Sequence, residues 1–513
     1  MAGSVTRTYD TDFRVASESV NGGNSVTFQY DPDSLLTGAG SLTLTRHAQH
    51  GLLTGTVLGA LTDTYSYSTF GELSRYQASY SGSPLLNTQY TRDSLGRITE
   101  KVETISGVAT TTVYGYDTAG RLTDVSVDGT LTAHYDYDSN GNRLSVIRPT
   151  GTVTGSYDAQ DRLVTYGAVG YTYTANGDLL TATSGGGVTT YNYDVFGNLV
   201  SVGLPDGSQI EYVIDGQNRR IGKKMDGVLT QGFLYSSQLR PVAELDGTGT
   251  VVSRFVYGTK VNVPEYMVKA GVTYRIITDH LGSVRLVVDT ATGTIVQRID
   301  YDEFGQITLD TNPGFQPLGF AGGLYDPDTK LVRFGARDYD AFPGRWTTKD
   351  PIGFRSRASN MYGYLNANPV QLTDPTGLLA WVSGAGLVAV VPKGKGIDVS
   401  GGGYYDTGSG EVGGFLSGGE AVGLNISADV FFGAFWDVPS LQGTAENATT
   451  SVGPWSITVM TDPATGRSLG ATLGYGWSAL PVGYSIALTH TVTATWADIL
   501  KWLRGLVSVT ACP

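Results

Sequence analysis

Cysteine is almost missing from this chain: 513 residues contain one, Cys512, next to the C-terminus. A lone thiol excludes a disulfide framework and any multi-cysteine metal site, so burial and strand pairing must hold the fold. Charge is scarce as well. Charged residues make up 16% of the chain and the formal net charge is −13, which weighs against general nucleic-acid binding, because phosphate affinity is built from clustered Lys and Arg. The five histidines, His47, His50, His134, His280 and His490, are not spaced as metal ligands, and no cofactor is expected. Long apolar runs are missing too. The longest, Leu378 to Val391, has 14 residues with Ser and two Gly inside it, short of the roughly 20 that span a bilayer. The opening residues, Met1 to Phe13, lack a basic region followed by an apolar core, so no signal peptide is visible.

What is present is turn and strand chemistry. There are 70 Gly and 31 Tyr in a chain that is 40% hydrophobic, a profile suited to an all-β body. At this length at least two units are expected. Self-similarity is the strongest signal in the first three hundred residues. The phrases begin with YDPDSLL at Tyr30, YSTFGEL at Tyr67, YTRDSLGRI at Tyr90 and YDTAGRL at Tyr116. YDSNGNRL at Tyr137, YDAQDRL at Tyr157, YTANGDL at Tyr173, YDVFGNL at Tyr193 and YVIDGQNRRI at Tyr212 follow, with a last clear copy, YDEFGQI, at Tyr301. In each, Tyr is read as ending a strand, Asp or Asn with Gly as a turn needing φ > 0, and Arg-Leu or Asn-Leu as starting the next strand. One hairpin cannot bury its own apolar face; stacked copies can, with Tyr and Leu filling the seam.

These phrases resemble the YD repeats of the Rhs family, found also in the C component of insecticidal Tc toxin complexes and in teneurins. The resemblance runs from about residue 25 to Leu378. It includes Asp279-His280-Leu281-Gly282-Ser283-Val284-Arg285 and the stretch from Tyr325-Asp326 through Leu331 to Asp340. It ends with Gly344-Arg345-Trp346 and two Asp-Pro-x-Gly phrases, Asp350-Pro351-Ile352-Gly353 and Asp374-Pro375-Thr376-Gly377. It implies an all-β chain in which a YD-repeat strip, a β-solenoid or spiral, forms a hollow or partial shell. A small β-rich C-terminal domain with a terminal helix follows. The divisions expected are 1–270 for the repeats, 271–378 for the repeat-associated core, and 379–513 for a variable effector domain.

Without the family, two Asp-Pro-x-Gly turns are common structural corners, with Pro fixing φ, Gly permitting the turn and Asp capping backbone N–H groups. Two carboxylates brought close can also share a proton, one acting as acid and one as base. The resemblance implies self-cleavage after the Leu of the second phrase, here the Leu378–Leu379 bond. It makes Asp350 and Asp374 the catalytic pair of a single-turnover aspartic autoprotease, with Arg345 a candidate to orient a carboxylate. The chain departs from the family where Arg355 to Ser359 replaces the usual Gly-Gly pair. His280 reads as part of the wall rather than as a catalytic base.

Residues 379–513 hold nine acidic and five basic side chains (5 − 9 = −4), one His and one Cys, which weighs against a nuclease. Strands are expected at 422–434, 455–460, 469–477 and 482–493, with Thr461 to Gly466 as a hairpin connection, and a helix at 496–507. The pattern is compatible with a small membrane-acting β-barrel whose last helix lies at the interface, and equally with a compact β-domain. The function expected is an Rhs-type polymorphic toxin, secreted or at the cell surface by a route without a visible signal peptide. Its partners would be its own C-terminal domain as cargo, a secretion component and an immunity protein, with no nucleic acid for the shell and a membrane as a candidate target of the C-terminal domain. The alternative is a non-catalytic YD-repeat surface or adhesion protein.

Overall fold

The computed structural model describes residues 3–353 and 359–378 in full, and beyond them the backbone of six strands between Gly402 and Thr491. The chain divides into two compact units, Met1–Val390 and Val391–Pro513.

The first unit is a meander of thirty antiparallel strands, from Val5–Tyr9 to Ile307–Asp310, each paired with the next in sequence. The sheet continues unbroken across residue 270 and does not close first strand to last. One edge carries two-residue turns such as Ser106-Gly107 and Asp128-Gly129, with both residues at positive φ; this is the turn geometry that matches strand twist. The other edge carries the repeat phrase, and there the register slips by one residue just before the Tyr. The slip falls at Gly115/Tyr116, Asp136/Tyr137, Ser156/Tyr157, Thr172/Tyr173 and Asn192/Tyr193. A bulge repeated along one edge bends every hairpin locally.

The phrase itself is a relay. In the Asp117 turn, Oδ1 accepts the N–H of Ala119 (2.9 Å) and of Arg121 (2.9 Å), while Oδ2 takes Arg121 Nε at 2.6 Å. The Arg121 guanidinium then lies over the Tyr137 ring of the following copy, 5.1 Å from its centroid. The same Arg-on-Tyr step recurs at Arg14/Tyr30, Arg97/Tyr116 and Arg219/Tyr235. The Tyr hydroxyl donates back to a carbonyl one copy earlier, Tyr116 to Ile98 and Tyr157 to Arg143. Where Gly is missing from the turn, Asp161 and Asn218 take its positive φ, the residue types that tolerate it best.

Two copies were read out of frame. The register slip at Val213/Ile214 and the turn at Asp215 put Ile214, not Tyr212, in the strand-ending position. In the YTRDSLGRI copy the turn begins at Asp93, with Arg92 in place of the Tyr. Tyr212 points into the buried face, where its hydroxyl donates to Asp326 at 2.6 Å.

One face of the strip shows Ser/Thr pairs such as Ser156–Thr165 and Thr172–Thr181 to solvent. The other buries Leu122, Val125, Tyr135, Leu163, Leu179 and Leu199, and the later chain covers it. Residues 254–338 track across residues 18–220 through buried ion pairs. These are Arg254–Glu18 (3.0 Å), Arg275–Asp63 (2.5 Å), Arg285–Glu103 (2.7 Å) and Arg220–Asp338 (2.9 Å). Among the described residues no helix is long and apolar enough to cross a membrane; short 3-10 turns occur at Phe320–Gly322 and Leu365–Ala367.

In the second unit, Trp455–Thr461 pairs with Ser468–Tyr475 across the expected hairpin connection, and Gly443–Val452 joins it to Val482–Thr491. Gly402–Asp406 pairs with Glu411–Phe415. The expected strand at 422–434 and helix at 496–507 lie outside the described residues.

Breaking one buried pair tests this covering. Asp63→Ala strips Arg275, Thr56 and Tyr76 of a shared acceptor and is expected to cost about 3–5 kcal/mol. The exposed turn change Asp12→Ala is expected to cost about 1 kcal/mol or less. Chemical denaturation of both variants checks the difference.

Candidate active site

The closing segment begins in a four-stranded sheet: Leu324–Tyr325, Leu331–Phe334, Arg337–Asp340 and Arg345–Trp346. Phe334 and Arg337 face each other across a two-residue corner, Gly335-Ala336. Below it Phe320, Phe334, Tyr339, Trp346 and Tyr364 form a buried aromatic cluster, with Tyr339 and Tyr364 centroids 4.4 Å apart. The Arg337 guanidinium sits over the Trp346 ring at 4.1 Å, so its direction is fixed by packing.

The two Asp-Pro-x-Gly turns meet on that guanidinium. Arg337 Nη2 is 3.1 Å from Asp350 Oδ2 and 3.3 Å from Asp374 Oδ2. The second oxygen of each carboxylate holds its own turn. Asp350 Oδ1 accepts Ile352 N–H at 3.0 Å, and Asp374 Oδ1 accepts Gly377 N–H and the Thr376 hydroxyl, both at 2.9 Å. The structural corner and the paired carboxylates are therefore one arrangement, with the oxygens of each Asp divided between the two tasks. All three side chains are buried.

The turn before the expected scissile bond is also pinned. Arg337 Nε donates to the Gly377 carbonyl, Ala336 N–H donates to Thr376 O at 2.8 Å, and Leu378 N–H donates to Thr376 Oγ1 at 3.2 Å. Gly377 has φ +65°, and a Cβ there would meet Phe334 O at 2.4 Å; only glycine fits this turn so close to the corner. Leu379 lies outside the described residues, as does the cationic stretch 354–358.

Burial pushes the Asp350 carboxyl up to about 6, with Arg337 opposing and Asp374 adding to the rise. Asp350 therefore holds a proton in mildly acidic conditions. A carboxyl that holds its proton beside a second carboxylate oxygen on the same guanidinium is an arrangement that acid-base hydrolysis of an amide can use.

Arg345 lies elsewhere. Its Nη2 donates to Asp161 O, and its guanidinium stacks between the Tyr157 (4.9 Å) and Tyr362 (5.2 Å) rings. It repeats the Arg-on-Tyr step of the strip and ties the closing segment to it. The cation between the carboxylates is Arg337. Sequence reasoning did not single it out, because Arg333, Arg337 and Arg345 are equivalent until the corner at Gly335-Ala336 is folded. His280 is a wall residue: its Nε2 is 2.7 Å from Val370 O, and burial lowers its pKa to about 4.

Comparison with known proteins decides the family: the teneurin YD-shell model matches residues 1–370. The chain belongs to the teneurin YD-shell family. Among its relatives, Teneurin-4 of Mus musculus is 30% identical over 327 residues, 60% of this chain and 12% of the relative. The tRNA3(Ser)-specific nuclease WapA of Bacillus spizizenii is 25% identical over 308 residues, 59% of this chain and 11% of the relative. This YD-shell chain thus spans about a tenth of the length of the curated relatives it matches. The crystal structure of TcdB2-TccC3 shares its fold, with a TM-score of 0.62 at 19% identity over 73% of this chain and 22% of that one. The Photorhabdus luminescens Tc holotoxin pore gives 0.60 at 18% over 73% and 21%. The open thirty-strand meander with its covering segment is accordingly an Rhs/YD-repeat shell.

Removing the shared cation tests the electrostatics. In Arg337→Met the Asp350 carboxyl loses its largest lowering influence, so its titration midpoint is expected to move above about 6. Infrared difference titration of the labelled carboxyl, referenced to Asp350→Asn, reads the shift; a downward move would contradict the geometry.

Proposed function

We propose that this chain is the shell of an Rhs-type effector protein, and that Asp350 and Asp374 cut it once, after Leu378, leaving residues 379–513 as cargo. The observation that carries the reading is the convergence of both carboxylates on Arg337 Nη2, while the same guanidinium holds the carbonyl of Gly377, one residue before Leu378. Proximity supplies the substrate, since Asp374 lies four residues from the bond.

The step is a hydrolysis. The ionised Asp374 takes a proton from water as the water oxygen attacks the Leu378 carbonyl carbon, and protonated Asp350 gives its proton to the carbonyl oxygen. Collapse of the tetrahedral species breaks the C–N bond, the proton on Asp374 passes to the leaving nitrogen, and Leu378 ends as a carboxyl group while Leu379 ends as an amine. The diol hydroxyl returns its proton to Asp350 in that collapse, so the pair ends as it began.

On this reading the protein acts outside its producer or at its surface. It works with a secretion component, and with an immunity protein if the cargo is toxic. A nuclease among the relatives supports an effector role. The second reading, a non-catalytic YD-repeat surface or adhesion protein, is favoured by the teneurin matches, whose identity is the higher.

Expressing the chain and resolving it on a denaturing gel separates the readings. Two bands in the wild type and one full-length band in Asp374→Asn and in Asp350→Asn are expected; a persistent full-length band in the wild type would sink the cleavage claim. The pH dependence has a definite sign. The required form of Asp350 is protonated, its pKa is raised to about 6, and single-turnover cleavage should slow about tenfold per pH unit above that value. Quenched-flow sampling after a pH jump measures it.

A further inference from the structure

The repeat phrase departs from its pattern in particular copies, and three of those copies hold the closing segment. Four residues after the turn Asp, the usual Arg bonds that Asp and lies over the next Tyr, as Arg121 does. Asn142 and Asn198 occupy the same position in their copies. Each keeps the bond to its own turn through Nδ2, to Asp138 Oδ2 at 2.9 Å and to Asp194 Oδ2 at 3.0 Å. An amide, unlike a guanidinium, also has an acceptor. Asn142 Oδ1 accepts Asn360 Nδ2, and Asn198 Oδ1 accepts Arg333 Nη2, both at 2.8 Å. In the third copy Arg92 stands in place of the strand-ending Tyr. There Gln371 Oε1 accepts the Ile98 N–H at 3.1 Å and Arg92 Nη1 at 3.4 Å, and its Nε2 donates to Gly96 O at 3.0 Å.

The three contacts lead to the three parts of one site. Arg333 lies on the hairpin whose other strand carries Arg337. Asn360 precedes Met361, whose carbonyl accepts both the Asp350 N–H (3.1 Å) and Arg337 Nη1 (3.3 Å). Gln371 lies three residues before Asp374. Asn142, Asn198, Asn360 and Gln371 are all buried, so their amides bond out of water, where an unmet partner is costly. Each of Arg337, Asp350 and Asp374 is thus tied through its own segment to one irregular copy, and supports of this kind set how closely reacting groups are held.

Resting on the reading that Asp350 and Asp374 cut the chain, we propose that these copies are docking addresses that assemble the cutter, so that cleavage waits until the strip from Arg92 to Asn198 has folded. Asn142, Asn198, Asn360 and Gln371 are positioning residues, and the departures from the repeat regulate the cut. Pulse-labelled cell-free synthesis of the full chain, sampled on a denaturing gel, reads the cleavage rate. Thermal midpoints are taken for the same substitutions in the uncleaved Asp374→Asn chain. Asn360→Asp keeps the oxygen that caps the Tyr362 N–H but sets an acceptor against Asn142 Oδ1, and Gln371→Leu removes the bonds to Gly96, Ile98 and Arg92. Each is expected to slow cleavage roughly tenfold or more, with the thermal midpoint within about 5 °C of its parent. Gln371→Glu keeps an acceptor for Ile98 and Arg92 and is expected to hold the rate within about threefold of wild type. Wild-type rates in Asn360→Asp and Gln371→Leu, with the wild type cleaving, would overturn the docking role and leave the cleavage reading standing. Slow cleavage in all three variants in step with a fallen midpoint would overturn it too, as general unfolding. An uncleaved wild type would overturn both.

Discussion

A strip of antiparallel hairpins has one face that its own neighbours cannot cover, and the rest of this molecule follows from that constraint. Leu122, Leu163, Leu179 and Leu199 all point to the same side, and burying such side chains is worth roughly 2 kcal/mol each. The cover comes from later in the same chain. It is placed by guanidinium groups whose partners lie up to 236 residues away, as in Arg254–Glu18. Each of these pairs is costly to desolvate and costly to break, which makes them selectors of one register rather than a general source of stability.

The same residue type works at three depths. At the turns, Arg bridges its Asp to the Tyr of the next copy, in half-exposed pairs worth little singly. Across the covered face it joins strip to cover. At Arg337 it sits between two acids and beneath a carbonyl of the closing turn. The acids are on hand because Asp-Pro-x-Gly corners need a carboxylate oxygen to cap their own N–H groups. The second oxygen of each is left to converge on Nη2. A repeat protein with few charged residues thus gathers two acids and one guanidinium at its closing turn without adding a separate element.

Much of the strip was legible in the sequence because its signal is local. Tyr, Asp and Gly at fixed spacing specify a bulge, a cap and a positive φ within a few residues, and the strand ends at Tyr116, Tyr137, Tyr157, Tyr173 and Tyr193 follow directly. The frame was misread where a substitution hid the pattern, with Ile214 and Arg92 standing in the Tyr position while Tyr212 and Tyr90 attracted the alignment. What lies far apart in sequence was not legible. Asp350 and Asp374 were named from a motif, but that both rest on Arg337, and that Arg345 instead stacks on Tyr157, depends on which face of a short hairpin meets which strand.

The proposal at the centre of this account is that the closing segment severs the chain behind itself, after Leu378. Mass measurement of the purified wild-type chain tests it most directly, once in native buffer and once denatured. The account predicts one native species carrying the mass of all 513 residues plus one water. Denaturation should resolve that species into fragments ending at Leu378 and beginning at Leu379. A single intact polypeptide under both conditions, or a break at any other bond, would contradict it.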